Sequence, residues 1–514
     1  MSGNILTTAA CGLLLTSLYF ATRWFDRRNR SSLPPPPGPK GWPLIGNMFD
    51  LPTKDEYRVY SQWHETYGDI CSVTVLGQRI VIINSPDVAF KLLNKQIYAG
   101  RPHYNMCCDL VGWSHALVML PYGERFKGYR AMLKNAFGSR ASVEKYKETM
   151  ETETHHCLAR LLNQEGSTNF TGPIRRSIGA ILLGITHGYE VQSEHDSLVR
   201  IADQATDQLG VLLTPGSFMV DTISALRFIP TWFPGPFADF KRLARDWRSD
   251  LYGLTEQSYA FVKKQVSAGT ASPSFVQELI EGKDLTEQEE LDIKWVASSI
   301  YLGGADMPVS ALSSLMLAMV MFPEMQKKAQ AEIDAVVGHD RLPLFSDRDD
   351  LPYVESMLRE IIRFGPPVPL GAPHCVTEDD VYEGMLIPKD SIVVANLWHF
   401  LQDPNVYPNP EVFDPERFIA REGKPAQPDP YDFCFGFGRR ICPGVHLTDA
   451  QMYIFTASIL SVFNIEKVVE NGVVQEPKHE FTSGVLIRPK PFKAVLKPRS
   501  AKAEALIRMF GDTA

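Results

Sequence analysis

With 514 residues, 44% of them hydrophobic, the chain can bury a large core, and its length admits either several domains or one unusually large one. Its 52 basic against 60 acidic residues give a formal charge of −8, which removes any overall electrostatic drive toward nucleic acid. Eight cysteines, at positions 11, 71, 107, 108, 157, 375, 434 and 442, form neither a CxxC pair nor a dense disulfide framework, so a reducing compartment fits better than a secreted one.

Residues 2–22 carry no charge, and Leu13, Leu14, Leu15, Leu18, Tyr19 and Phe20 supply an apolar centre. A bilayer span needs ~20 such residues. Arg23, Arg27, Arg28 and Arg30 follow at once, so the positive-inside bias puts the bulk of the chain in the cytosol and the N-terminus in the lumen. A cleaved signal peptide would carry its basic residues before the apolar run and a small-residue cleavage site after it, and neither is present. Residues 1–30 therefore read as a single-pass membrane anchor with a basic flank, and residues 31–46, with Pro34-Pro35-Pro36-Pro37-Gly38-Pro39, as a stiff non-helical spacer.

Beyond the spacer, Cys71 to Leu76 and Arg79 to Ile83 are β-prone runs that predict a hairpin turning at Gly77-Gln78. Helical periodicity dominates elsewhere, over Glu144 to Asn163, Glu290 to Met321, Glu324 to Val337 and Tyr353 to Phe364. From residue 365 prolines recur in a loop-rich stretch until a final helix after Cys442. No internal repeat is visible. The expected architecture is one large domain over residues 47–500, mainly α with small β-sheets, followed by a C-terminal tail at 501–514.

The segment Phe435-Gly436-Phe437-Gly438-Arg439-Arg440-Ile441-Cys442-Pro443-Gly444 sets one cysteine among glycines and arginines directly before a helix. Glycines let the backbone bend close to a sulfur and aim amide hydrogens at it, and the helix beyond adds the positive end of its dipole. Both favour thiolate over thiol, as an iron ligand requires. An isolated Cys-Pro-Gly would read as a buried structural cysteine; ten residues in register do not. Cys434 lacks the following Pro-Gly and the helix start, and reads as packing.

The ten residues match F-x-x-G-x-R-x-C-x-G, the haem-binding signature of the cytochromes P450, and the chain resembles that family from about residue 34 to 500. Glu360-Ile361-Ile362-Arg363 resembles its E-x-x-R helix and Pro415-Glu416-Arg417-Phe418 the loop whose arginine joins that pair. A surface ion pair would explain Glu360 and Arg363 alone, and Arg417 turns the reading toward a buried network. Gly303-Gly304-Ala305-Asp306 resembles the oxygen-side helix. The resemblance implies a single cytochrome P450 fold domain behind one transmembrane helix, with haem b (iron protoporphyrin IX) on Cys442. It further implies that Phe435, Gly438, Arg440 and Gly444 shape the cofactor loop and that Arg130 and His374 contact haem propionates. Phe126 stands where the family has tryptophan, so one hydrogen-bond donor is missing beside Arg130.

A monooxygenase needs electrons, and the chain has no dinucleotide fingerprint of its own. The resemblance supplies NADPH–cytochrome P450 reductase, with cytochrome b5 as an auxiliary donor, at the endoplasmic reticulum membrane. Lys127, Arg130 and Lys134 share a helical face that, with Arg439 and Arg440, could steer an acidic partner, although any solvated helix face looks the same. Gly303 to Asp306, Pro369 to His374, Thr377 to Asp380 and Lys497 to Ser500 resemble fungal secondary-metabolite oxidases of the O-methylsterigmatocystin oxidoreductase-like group. That implies an apolar, aromatic or polycyclic substrate held by residues 113–117, 297–305, 368–370 and 483–486.

One departure stands out. Where the family has a threonine whose hydroxyl helps deliver protons, this chain has Met307, and a thioether donates none. Pro308 then denies the Gly304 carbonyl its helical partner, which predicts a kink. Asp306 with water, Ser310 or a substrate hydroxyl are the replacement proton donors. The competing classes are a haem-thiolate enzyme that rearranges, dehydrates or couples rings without a reductase, and a membrane-bound haem sensor.

Overall fold

The computed structural model describes residues 33–510 apart from 164–169, 192–195, 215 and 234–237, and the anchor expected at 1–30 lies outside the described residues. Ile70–Val75 (β1) and Gln78–Ile83 (β2) form the expected antiparallel hairpin, from Ile70 opposite Ile83 to Val75 opposite Gln78. Its turn is Leu76-Gly77, one residue earlier than the sequence suggests, and both residues have positive φ, +47° and +90°. Two left-handed residues are what a tight turn matched to strand twist requires. The sheet continues through Ile392–Ala395, parallel to β2, to His374–Cys375 at the far edge. With these as β4 and β3, the order is β1-β2-β4-β3, and the edge strand carries His374.

The proline segment is not a free spacer. Prolines cannot donate to a strand but can accept, and Pro37 takes the Ser72 amide at 2.7 Å, Pro36 the Ser72 hydroxyl at 2.8 Å and Pro34 the Leu386 amide at 2.7 Å. Gly46, at φ +63°, comes so near β1 that an added Cβ would lie 1.9 Å from the Thr74 carbonyl oxygen. The domain therefore begins at Pro34.

The helices that frame the site, in chain order, are Glu56–Tyr67 (α1), Glu124–Phe137 (α2), Lys147–Leu162 (α3), Thr171–His187 (α4), Ser197–Leu213 (α5), Asp239–Ala268 (α6), Glu287–Gly304 (α7), Asp306–Met321 (α8), Pro323–Val336 (α9), Pro352–Phe364 (α10), Val445–Val462 (α11) and Ala501–Arg508 (α12). The run expected over 290–321 is two helices. It opens at Glu287 because Thr286 and Glu289 form a capping box, and it breaks at Ala305. Among the described residues this stretch alone is long and apolar enough to cross a membrane, but it is buried inside the body, with α8 and α11 covered on nearly every side. They are core helices. Residues 501–508, expected as tail, form α12: Ser500 caps it by accepting from the Ala503 amide, and fully buried Ile507 docks it to the main core.

Candidate active site

Cys442 sits between a folded-back loop and the start of α11. Its amide donates to the Phe435 carbonyl at 2.7 Å, closing a loop in which Gly436 and Gly438 take φ of +87° and +51°. A side chain at 438 would meet Asn94 and the Leu93 carbonyl at 3.0 Å, so glycine is required on both counts. The Gly444 amide donates to Cys442 Sγ at 3.4 Å, and α11 begins one residue later. Burial pushes the Cys442 thiol up, while the Gly444 amide and Arg130 pull toward thiolate. Cys434 packs between the two main cores, where burial pushes its thiol far up, and no amide is aimed at its sulfur.

Around this loop lies a cluster of cations. Arg440 is buried, donates from Nε to the Ala99 carbonyl at 2.8 Å and from Nη2 to the Leu120 carbonyl at 2.7 Å, and lies 4.0 Å over the Phe126 ring. Phe126 thus keeps the packing of an aromatic at this position without an N–H. Arg130 donates to the Ile441 carbonyl at 2.6 Å, bracing the ligand loop. Arg101, which sequence reasoning missed, donates to the Ala372 and Pro373 carbonyls at 2.7 and 2.6 Å. Burial and repulsion from Arg101 and Arg130 bring Arg440 down to about 9, and burial brings Arg101 down to about 10. His374 Nδ1 lies 2.8 Å from the Tyr98 carbonyl, and burial and Arg101 bring its imidazole down to about 3.

No carboxylate among the described residues pairs with Arg101, Arg130 or Arg440, and Arg101 Nε and Arg440 Nη1 are buried without hydrogen-bond partners. Buried cations in this arrangement need anions. A thiolate loop beside unmatched guanidiniums is the donor set that haem, with one iron and two propionates, would satisfy, so the residues present fit haem. The signal for Arg101 in the sequence was a lone arginine in Gly100-Arg101-Pro102 with no acidic neighbour.

The motif on α10 is buried. Arg363 donates to both Glu360 oxygens, Nε at 2.6 Å and Nη2 at 2.8 Å, and both side chains are fully inaccessible. Arg417 Nε stands 3.5 Å from Glu360 and donates to the Pro408 and Asn409 carbonyls at 2.6 and 2.8 Å. The Asp414 amide donates to Glu360 at 2.8 Å. Burial pushes the Glu360 carboxyl up against the pull of its two arginines. The network ties α10 to the loop at 401–417, upstream of the ligand loop.

On the oxygen-side helix the sequence neighbours diverge. Gly303 and Met307, four residues apart and so on one face, are exposed although the helix around them is buried, and a Cβ at 303 would meet nothing within 4 Å. They form the accessible strip of this otherwise buried stretch. Asp306 faces another way: Arg175 of α4 donates to its Oδ1 at 2.6 Å and Arg488 lies at 2.9 Å from the same oxygen. Burial pushes its carboxyl up, and the two arginines oppose this. Ser310 is fully buried and donates to the Ile487 carbonyl at 2.5 Å. Asp306, Met307 and Ser310 are therefore not brought together in one relay.

The expected basic face is thinner than the sequence suggests. Arg440 points inward to the Ala99 and Leu120 carbonyls, Arg130 points to the ligand loop, Lys127 pairs with Glu124 at 2.7 Å, and Lys134 and Arg439 stay on the surface. Two of the expected pocket segments meet where the Leu117 amide donates to Ser299 Oγ at 3.1 Å. Gly484, in a third, lies beside Thr214 at the end of α5.

The family model described as cytochrome P450 matches residues 36–496. The chain is 46% identical over 511 residues to cytochrome P450 monooxygenase 208 of Postia placenta, covering 99% of this chain and 98% of that protein. It is 42% identical over 513 residues to cytochrome P450 monooxygenase claR of Ampulloclitocybe clavipes, covering 99% and 94%. With cytochrome P450 monooxygenase CLM2 of Gibberella zeae it shares 39% over 510 residues, covering 96% and 94%.

Proposed function

The chain belongs to the cytochrome P450 family and is a monooxygenase, and from that premise we propose that it oxidises an apolar, aromatic or polycyclic small molecule in fungal secondary metabolism. Electrons come from NADPH–cytochrome P450 reductase, with cytochrome b5 as auxiliary donor. The N-terminal apolar segment anchors it to the endoplasmic reticulum membrane with the catalytic body in the cytosol. The observation that carries the reading is the Cys442 loop, with its sulfur held by the Gly444 amide beside three arginines that lack carboxylate partners. Haem bound there supplies dioxygen activation and oxidation of the substrate. The chain's own part is distinct. Gly436, Gly438 and Gly444 hold the sulfur. Arg101, Arg130 and Arg440 would offset propionate charge, with His374 beside them as a neutral imidazole. The Glu360, Arg363 and Arg417 network fixes the approach to the loop. Asp306, held by Arg175 and Arg488 and turned from the Gly303 and Met307 face, exchanges protons with that face only through water.

The test is substrate-dependent NADPH oxidation by the purified full-length enzyme with reductase, alongside metabolite comparison in a host with and without reductase. Product that requires NADPH and reductase supports the reading. Met307 favours one alternative, a haem-thiolate enzyme that rearranges, dehydrates or couples rings, and product formed without reductant would establish it instead.

A further inference from the structure

We infer that Cys107 and Cys108 form a modification site, a thiol pair that hydrogen peroxide closes into a disulfide between neighbours, opening the clasp between residues 105–111 and 219–224. They are the only adjacent cysteines in the chain. Both lie in the π-helical turn Asn105–Val111, buried at 0% and 4% exposure, directly before the expected pocket segment 113–117. The Cys107 thiol donates to the Cys108 sulfur, which pushes Cys107 well up and brings Cys108 down; burial opposes the second effect, and the Tyr104 backbone and His103 assist it. A sulfur held toward thiolate beside a second thiol is the arrangement that oxidises selectively. Cys71, Cys157 and Cys434, by contrast, are pushed up chiefly by burial.

The turn is held against the short helix Met219–Thr222 and the residue beyond it. The Met106 amide donates to Asp221 Oδ1 at 2.8 Å, and Asn105 Nδ2 donates to the Val220 carbonyl at 2.9 Å and to Ser224 Oγ at 3.1 Å. Gly112, at φ +108°, ends the turn against Tyr252 of α6, where an added Cβ would lie 3.4 Å from the ring. A disulfide between neighbours does not fit this shape. Adjacent Cα atoms lie about 3.8 Å apart, below the ~4.4 Å that ordinary disulfides span. The turn must therefore unwind to close the ring, taking Asn105 and Met106 from their partners, and the strained product stays readily reducible. Peroxide alone balances the chemistry. The Cys108 thiolate attacks one peroxide oxygen, S–O forming as O–O breaks, and the other oxygen takes a proton and leaves as water. Cys107 then attacks the Cys108 sulfur, S–S forming as S–O breaks, and a second water departs; the cysteines lose two electrons and the peroxide gains them. A monooxygenase releases reduced oxygen as hydrogen peroxide when protons arrive out of step with oxygen transfer, and Met307, which donates none, favours that loss. The inference rests on the monooxygenase reading for this source of peroxide alone.

The test treats the full-length holoenzyme with hydrogen peroxide at a dose that leaves the thiolate band of the reduced carbon-monoxide complex intact. In the tryptic peptide from Gln96 to Arg125, Cys107 and Cys108 are the only cysteines. This peptide is expected to lose two hydrogens and to regain them with dithiothreitol, while Cys157 and Cys434 remain thiols that alkylate after unfolding. Hydrogen exchange over residues 105–111 and 219–224 is expected to quicken about tenfold, the effect of losing the bond from the Met106 amide to a carboxylate. In Cys107→Ser and Cys108→Ser, or the alanine variant where the serine one fails to take up haem, peroxide should leave that exchange unchanged. Cysteines that stay reduced, cysteines that reach sulfinic acid without closing the ring, or pairing of either with a third cysteine would each overturn the inference. A ring that forms with no change in exchange would overturn it too, as would faster exchange in the single-cysteine variants. Because the peroxide is added, an enzyme that turns over without NADPH would reject the monooxygenase reading and its supply of peroxide, and leave the site standing.

Discussion

Replacing Glu360 with alanine is the most demanding perturbation of this fold. The carboxylate takes two bonds from Arg363 at 2.6 and 2.8 Å and one from the Asp414 amide at 2.8 Å, with Arg417 at 3.5 Å. Without it, fully buried Arg363 keeps only the Leu401 and Val412 carbonyls, each at 3.2 Å. Removing one partner of a buried pair costs about 3–5 kcal/mol, and the abandoned Asp414 amide adds about 1–3 kcal/mol. The sum, roughly 4–8 kcal/mol, rivals a typical total stability of about 5–15 kcal/mol. Glu360→Ala is therefore expected to unfold far more readily and to retain little haem. The paired change Glu360→Leu with Arg363→Met, which strands Arg417 alone instead of both arginines, should recover part of the loss. Urea unfolding followed by circular dichroism measures the first, and the thiolate band of the reduced carbon-monoxide complex measures the second. A Glu360→Ala protein within about 1 kcal/mol of the parent would refute the reasoning, because no buried charge could then have been stranded.

Three further outcomes follow from the structure. Cys442→Ala should abolish the thiolate band of the reduced carbon-monoxide complex while Cys434→Ala keeps it, since only Cys442 has the Gly444 amide on its sulfur; loss in the Cys434 variant alone would reverse the assignment. Deleting residues 1–32 should leave a haem-binding body with reduced membrane association, whereas deleting 1–47 should destabilise it by stripping the carbonyls of Pro34, Pro36 and Pro37 from Leu386 and Ser72; equal melting temperatures for the two truncations would contradict the docking. Burial raises the Asp203 carboxyl to about 6, so its protonated form is favoured in the folded state, and the stability this provides is full below the unfolded value near 4 and lost as pH rises through 6. Asp203→Asn should flatten that decline and stabilise the protein at pH 7 by at most about 3 kcal/mol, less for partial solvation, and identical melting curves at pH 4.5 and 7 for both proteins would exclude it.

Local chemistry made some features readable from the residues alone. The hairpin followed from alternation around Gly77, α10 from its helical periodicity and flanking signals, and α11 from its place directly after the Cys442 loop. The Cys442 loop was legible because the glycines, the cysteine and the helix start lie within ten residues. Where the reading slipped, the deciding contact was distant. The proline segment looked free because its acceptors find their donors at Ser72 and Leu386, and the last helix looked like a tail because the elements it packs on, α3 among them, are distant in sequence. The turn moved by one residue because Leu76 accepts a left-handed conformation that its residue type disfavours.

The oxygen-side helix shows why side-chain direction carries function that residue order conceals. Consecutive helical residues point about 100° apart, so Asp306 and Met307, adjacent in the chain, belong to different surroundings. Asp306 is claimed by Arg175 on α4 and by Arg488 from the far end of the chain, and neither partner is recognisable from the Gly303 to Asp306 motif. Met307 lies with Gly303 on the accessible face, where a threonine would have offered a hydroxyl.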